Sequence, residues 1–183
     1  MPVTFSTMRI VLIAAQSTDG FITRHQVPGT AWVSEADQQW FRRALAPFDA
    51  TIMGSITYES AKTEITARLT ANRQRVVMTR NPDAFAMEAH PGRLEFSAQS
   101  PAEIVRDLQT KGCQACALLG GGQIHELFLT TRLVDEIWLT IEPRLFGHGT
   151  PLVDGKIDVS LQLDDVSRLD GSDSILAKYR VLK

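Results

Sequence analysis

A chain of 183 residues, 44% apolar and 22% charged, is long enough to bury one substantial core and short of what two ordinary domains need. Its formal charge of -2 and pI near 6.1 leave no cationic surplus to hold a phosphate backbone, so nucleic acid is not an expected partner. The first apolar run, Ile10 to Ala15, is too short for a signal-peptide core or a membrane span, which predicts a cytoplasmic protein with no membrane partner.

A single domain is expected over residues 1–183, with 1–8 as a disordered N-terminal extension. Short apolar runs alternate with helical patterns along it, which marks an α/β fold. Arg9 to Ala15 predicts a buried strand, followed by a loop through Ser17-Thr18-Asp19-Gly20. Ser34 is the expected N-cap of a helix with Asp37 at its third position, in which Trp40, Phe41 and Leu45 recur at helical spacing before Pro47. Ala50 to Met53 and Arg75 to Thr79 predict strands that end in polar loops, at Gly54-Ser55-Ile56-Thr57 and at Arg80-Asn81-Pro82. A short strand is expected over Arg93 to Phe96. Ser100-Pro101-Ala102-Glu103 is a capping box with proline at the first helical position, leading a helix to about Lys111. Ala115 to Leu119 predicts a buried strand that meets Gly120, Gly121 and Gly122 before a helix over Gln123 to Leu129. The remainder is β-rich, with strands expected over Val134 to Glu142, Val159 to Val166 and Ser174 to Leu182.

Chemistry concentrates where strands end. Glycines between a strand and a helix let an anion approach the N–H groups of the helix N-terminus, so Gly120-Gly121-Gly122-Gln123-Ile124 is either a phosphate cradle or a tight unliganded turn. No G-K-[ST] follows and G-x-G-x-x-G is absent, which excludes a Walker loop and the usual dinucleotide fingerprint. Gly54, Ser55, Thr57, Thr79 and Arg80 offer hydroxyls, backbone donors and a guanidinium at two further strand ends, and three such ends suit a dinucleotide. Thr79-Arg80 is composed for a ribose 2′-phosphate, favouring NADPH over NADH, unless Arg80 is only a solvated charge. Asp37 is either a helix cap or a functional acid. Cys113 and Cys116 form a lone C-x-x-C before a strand and are expected to be structural. No metal is expected, since His25, His90, His125 and His148 share no ligand spacing.

Trp32-x-x-x-x-Asp37-x-x-Trp40-Phe41 and Ile52-Met53-Gly54-Ser55-x-Thr57-Tyr58-Glu59-Ser60 resemble the helix and cofactor loop of dihydrofolate reductases, and Gly121-Gly122 is similar to their second cofactor loop. Ser17-x-Asp19-Gly20-x-Ile22, Leu133-Val134-Asp135-Glu136-Ile137 and Glu142 through Leu152 resemble the pyrimidine reductases of riboflavin biosynthesis instead. The resemblance runs from about Ile10 to Val181. It implies a mainly parallel sheet flanked by helices, with antiparallel C-terminal strands and NADPH as cofactor. The implied function is a riboflavin-pathway reductase delivering hydride to the ribose C1 of an aminopyrimidine ribosyl phosphate. The alternatives are a dihydrofolate reductase and a nucleotide-binding protein of this fold without turnover. The cofactor positions it implies are Gly54, Ser55, Thr57, Thr79, Arg80, Gly121, Gly122, Gln123 and Ile124, to which the glycine run adds Gly120. Asp37 matches the carboxylate aimed at the pterin, Arg73 the arginine on the folate tail, and Asp19 and Glu142 border a small heterocyclic substrate. Ser55 departs from an arginine common in dihydrofolate reductases, which leaves more of the phosphate to Arg80. The same resemblance implies a homodimer, with Ile137-Trp138-Leu139 near the partner.

Overall fold

A computed structural model describes residues 8–69 and 72–183. The extension expected at 1–8 therefore lies outside the described residues except for Met8, which is buried in the core. Eight strands form one sheet: β1 (Arg9–Ser17), β2 (Ala50–Gly54), β3 (Gln74–Met78), β4 (Leu94–Ser97), β5 (Ala115–Leu118), β6 (Glu136–Glu142), β7 (Leu161–Arg168) and β8 (Ile175–Val181). Their order is β4-β3-β2-β5-β1-β6-β8-β7. Every pairing from β4 to β6 is parallel, and β8 is antiparallel to both β6 and β7. This is the expected α/β architecture, with the antiparallel part confined to the C-terminal strands.

Helices cover both faces, which is why the central strands are continuous apolar runs. Alternation along β1 sends Ile10 and Leu12 to one face and Val11 and Ile13 to the other. On the first face pack α3 (Pro101–Thr110), through Ile104 and Leu108, and α4 (Gly122–Thr130), through Phe128. On the second lie α1 (Glu35–Ala44), through Trp40 and Phe41, and α2 (Ser55–Thr66), through Tyr58. Leu12, Ile52 and Leu118 are 0% exposed, so truncating any one to alanine costs about 2–5 kcal/mol.

Two elements depart from the sequence expectation. Helix α2 follows β2 with no loop between them, and Pro82–Glu88 forms a 3-10 segment. Only Tyr58 is buried in α2 and nothing is buried in the 3-10 segment, so neither carries an apolar stripe to read. Strand β7 starts at Leu161 and is exposed along its whole length. Of Ile137-Trp138-Leu139, the outer two point into the core, and Trp138 is half-buried on the other face beside Trp40 and Phe48. β6 lies inside the sheet, and Ile137 and Leu139 are buried in the chain's own core.

Candidate active site

A parallel sheet delivers the carboxyl ends of its strands to one edge, and a cleft of about 2280 Å³ opens where β1, β2, β3 and β5 end. A pocket for one small ligand is roughly 300–1,000 Å³, so this cleft has room for two ligands side by side. Gly54, Ser55, Thr57, Thr79, Arg80, Gly121, Gly122, Gln123 and Ile124 all line it, as do Asp37 and Arg73. Gly120, Asp19 and Glu142 are not part of its wall.

Each glycine of the run has its own reason. Gly120 has φ +91°, and a Cβ there would stand 2.6 Å from His125 Nε2; its carbonyl accepts the Gly54 N–H at 2.7 Å. Gly122 is required because a Cβ would stand 2.7 Å from the Pro151 carbonyl oxygen. Gly121 differs, since a Cβ would meet nothing closer than Ile22 and Thr57 at 3.8 Å and would project into the open cleft. Packing therefore fixes Gly120 and Gly122, while Gly121 leaves bare backbone facing the open cleft.

Helices α2 and α4 begin directly at Gly54 and Gly121, and neither has a side-chain cap. Helices α1 and α3, by contrast, are capped by Ser34 and Ser100. Two uncapped N-termini at one cleft present partial positive charge and first-turn N–H groups to an anion. Thr79 Oγ1 accepts the Asn81 N–H at 3.2 Å and shapes the turn after β3. Arg80 is exposed, and among the described residues its guanidinium makes no hydrogen bond or ion pair.

The two readings of Asp37 are separated by its neighbours. Ser34 accepts the Asp37 N–H on its hydroxyl, 3.2 Å away, so half of the capping box is present. In the other half the Asp37 carboxylate would accept the Ser34 N–H, as Glu103 does from Ser100 in α3 at 2.9 Å. Here the Ser34 N–H donates to Glu142 Oε1 at 3.1 Å, and the Ser34 hydroxyl donates to the same oxygen at 2.8 Å. The Asp37 carboxyl is left to line the cleft. It is 6% exposed, and burial pushes its pKa up to about 6 from 3.8, against the pull of the Thr140 hydroxyl and with a further push from the Glu142 carboxylate.

Glu142 is 1% exposed, and its second oxygen accepts the Ser174 hydroxyl at 2.9 Å. It therefore braces α1 against β6 and the turn before β8. Asp19 accepts the Ser17 hydroxyl at 2.6 Å and the N–H groups of Phe146 and Gly147 at 3.0 and 2.7 Å, which hold its pKa below the usual value. It clamps the loop after β1 to the loop after β6. Arg73 donates to the Leu45 and Phe48 carbonyls at 2.6 and 3.0 Å, closing the chain behind α1, while its guanidinium borders the cleft. Trp32 packs edge-on against Phe146 at 5.0 Å and braces the same loop, so Trp40 and Phe41 are the aromatic walls nearer the ligand space.

Sequence reading missed His125, Ser174 and Thr140. His125 is buried, with Nδ1 2.7 Å from the Leu152 carbonyl, and burial lowers its pKa to about 4, so it stays neutral against Gly120. Nothing local announces Ser174, because its partner Glu142 is 32 residues away. Cys113 and Cys116 are buried free thiols with raised pKa values, a structural placement. Among the described residues no group of three or more His, Cys, Asp or Glu could hold a metal ion. No helix among them is long and apolar enough to cross a membrane.

The family model of the RibD C-terminal domain matches residues 9–176, which takes in every strand from β1 to β7 and the start of β8. The chain belongs to the RibD C-terminal domain family. No curated protein is significantly similar to it. Among solved structures it is similar to a diaminohydroxyphosphoribosylaminopyrimidine deaminase/5-amino-6-(5-phosphoribosylamino)uracil reductase from Thermotoga maritima, at 19% identity and TM-score 0.78. That match covers 98% of this chain and 58% of the other, so this RibD C-terminal domain protein spans little more than half of the bifunctional one. A pyrimidine reductase-like protein from Corynebacterium diphtheriae is similar at 16% identity and TM-score 0.72, over 100% of this chain and 96% of that one. The dihydrofolate reductase of Enterococcus faecalis, solved with NADP(H) and an inhibitor named RAB-propyl, is similar at 20% identity and TM-score 0.65, over 98% and 99% of the two chains. At these identities the structural matches establish the dihydrofolate-reductase-like fold and the family match establishes a riboflavin-pathway reductase family.

Proposed function

We propose that this RibD C-terminal domain protein is an NADPH-dependent reductase of the riboflavin-pathway type, acting on a small phosphorylated aminopyrimidine ribosyl substrate. The observation that carries the reading is the shared cleft. In it a buried carboxyl, released from its own helix cap, faces the same space as bare glycine backbone, two helix N-termini without a side-chain cap and an arginine that has no partner among the described residues. These residues fit a dinucleotide phosphate. Gly121 and Gly122 with Gln123 would receive the pyrophosphate at the start of α4, Ser55 and Thr57 would add contacts at α2, and Thr79 with Arg80 would take the 2′-phosphate.

NADPH, when bound, supplies the hydride. The protein orients the substrate, excludes water and manages one proton. On the proposed substrate the hydride would add at ribose C1 as the bond from C1 to the ring oxygen breaks, and that oxygen would need a proton as the sugar opens to a ribityl chain. With a pKa near 6, Asp37 holds a proton over part of the physiological range and can donate it in this cleft. Trp40 and Phe41 line the same cleft as Asp37 and would give it an apolar wall, and Arg73 stands at the border of the cleft.

A pterin substrate is the second reading, favoured by the placement of Asp37 and weakened by Arg73, two of whose donors already serve the Leu45 and Phe48 carbonyls. The test is loss of NADPH absorbance with the ribosylaminopyrimidine phosphate and with dihydrofolate in parallel. Turnover with the first alone supports the proposal, turnover with dihydrofolate alone reverses the order, and saturable NADPH binding with no turnover on any heterocycle leaves a nucleotide-binding protein.

A further inference from the structure

We infer that Glu142 is a positioning residue for Asp37: by taking over the N-terminal cap of α1, it frees the Asp37 carboxyl for the cleft. The inference rests on the reading of Asp37 as the proton donor. Two helices of this chain begin with serine followed three residues later by an acid, and they end differently. At α3 the box closes, with Glu103 accepting both the Ser100 N–H and the Ser100 hydroxyl. At α1 an acid from a strand 108 residues away accepts both donors of Ser34, and the local acid is displaced. A single carboxylate oxygen thus does at α1 what Glu103 does at α3.

Three donors converge on Glu142, from the Ser34 backbone, the Ser34 hydroxyl and the Ser174 hydroxyl. They hold a carboxylate in a place where it is almost wholly buried. Its negative charge also bears on Asp37 and favours the protonated form of that acid. The other ionisable groups of α1 near Asp37, Glu35, Arg42 and Arg43, are exposed, and Thr140 and Ser174 carry no charge. Glu142 therefore has two separable effects on Asp37, a geometric one through Ser34 and an electrostatic one through space.

Two substitutions separate them. Glu142→Gln keeps an amide oxygen for Ser34 and removes the charge, so the cap survives and the field does not. Glu142→Ala removes both, and the Asp37 carboxyl then has the Ser34 N–H to accept, as Glu103 does at α3. The measurements are the pH profile of kcat, NADPH affinity, and the direct titration of the Asp37 carboxyl by infrared difference against Asp37→Asn. With Glu142→Gln the low-pH plateau of kcat should stay near the parental value while its midpoint and the infrared titration both move to lower pH. With Glu142→Ala kcat should fall on the order of 10²-fold with NADPH affinity unchanged, because the acid has left the reacting atoms. A brace with no link to Asp37 would lower thermal stability in both variants and move neither titration. Parental kcat with a parental infrared titration in Glu142→Ala overturns the inference, and superimposable infrared titrations of parent and Glu142→Gln overturn its electrostatic half. A shifted infrared titration with an unmoved activity profile upholds the placement of Glu142 and removes Asp37 from the chemistry.

Discussion

Glu142 accepts the backbone N–H of Ser34 at 3.1 Å, and so a strand from the second half of the chain caps a helix in the first. For Asp37 this reverses the expectation for a capping residue. A cap lost to asparagine costs at most about 1 kcal/mol. A buried carboxyl raised from 3.8 to about 6 instead opposes folding once the solution pH exceeds the unfolded value. The native state binds the extra proton between these two pKa values, so stability falls as pH rises from about 4 to about 6, by roughly 2–3 kcal/mol in all. Asp37→Asn should therefore flatten that pH dependence and raise the melting temperature at pH 8, while kcat drops on the order of 10²-fold or more. Thermal melts across pH with turnover on the same samples check both halves, and a lower melting temperature at pH 8 counts against the assignment.

The three glycines should behave differently. Gly121→Val should leave the melting temperature nearly unchanged and weaken NADPH binding severely, because its side chain enters the cleft. Gly120→Ala meets His125 in a left-handed backbone, and Gly122→Ala meets the Pro151 carbonyl, so each should cost about 1–3 kcal/mol of stability. Calorimetry combined with cofactor titration separates the classes. Equal loss of stability at all three positions would remove the argument for an exposed backbone at Gly121.

Arg80 has no partner among the described residues, so its removal should not disturb the fold. Arg80→Ala is expected to weaken NADPH binding by on the order of 10- to 100-fold, the worth of an arginine-phosphate contact, and to leave NADH binding unchanged. Isothermal titration with both cofactors decides it.

Asp19 ties two loops together, and its lowered pKa means that this tie is complete above the usual carboxylate range and is lost as pH falls through the folded value. Asp19→Asn should speed hydrogen exchange at the Phe146 and Gly147 amides and raise the substrate KM more than it lowers kcat. Unchanged exchange at both amides would separate Asp19 from this loop.

Much of the fold was legible because its signals are local. β1, β2 and β5 are short apolar runs, Ser100-Pro101-Ala102-Glu103 closes the box it spells, and the glycine run lies between strand and helix as expected. The strand-end part of the cleft wall followed, since strand ends of a parallel sheet must share an edge. Helix α2 was hidden because it buries a single side chain. Glu142 was assigned to the substrate side by resemblance to the pyrimidine reductases, while its partners Ser34 and Ser174 lie 108 and 32 residues away. Asp37 stayed ambiguous for the same reason, because what releases it is not in its own segment.

Ser174 sits in the turn that leads into β8, and its hydroxyl completes the donor set on Glu142. The arrangement that frees Asp37 therefore requires contacts across 108 and 32 residues to close together, and long-range closure is slow relative to local helix and turn formation. During refolding, the local helices and turns should therefore return before turnover does, and turnover should appear only as Glu142 docks on Ser34.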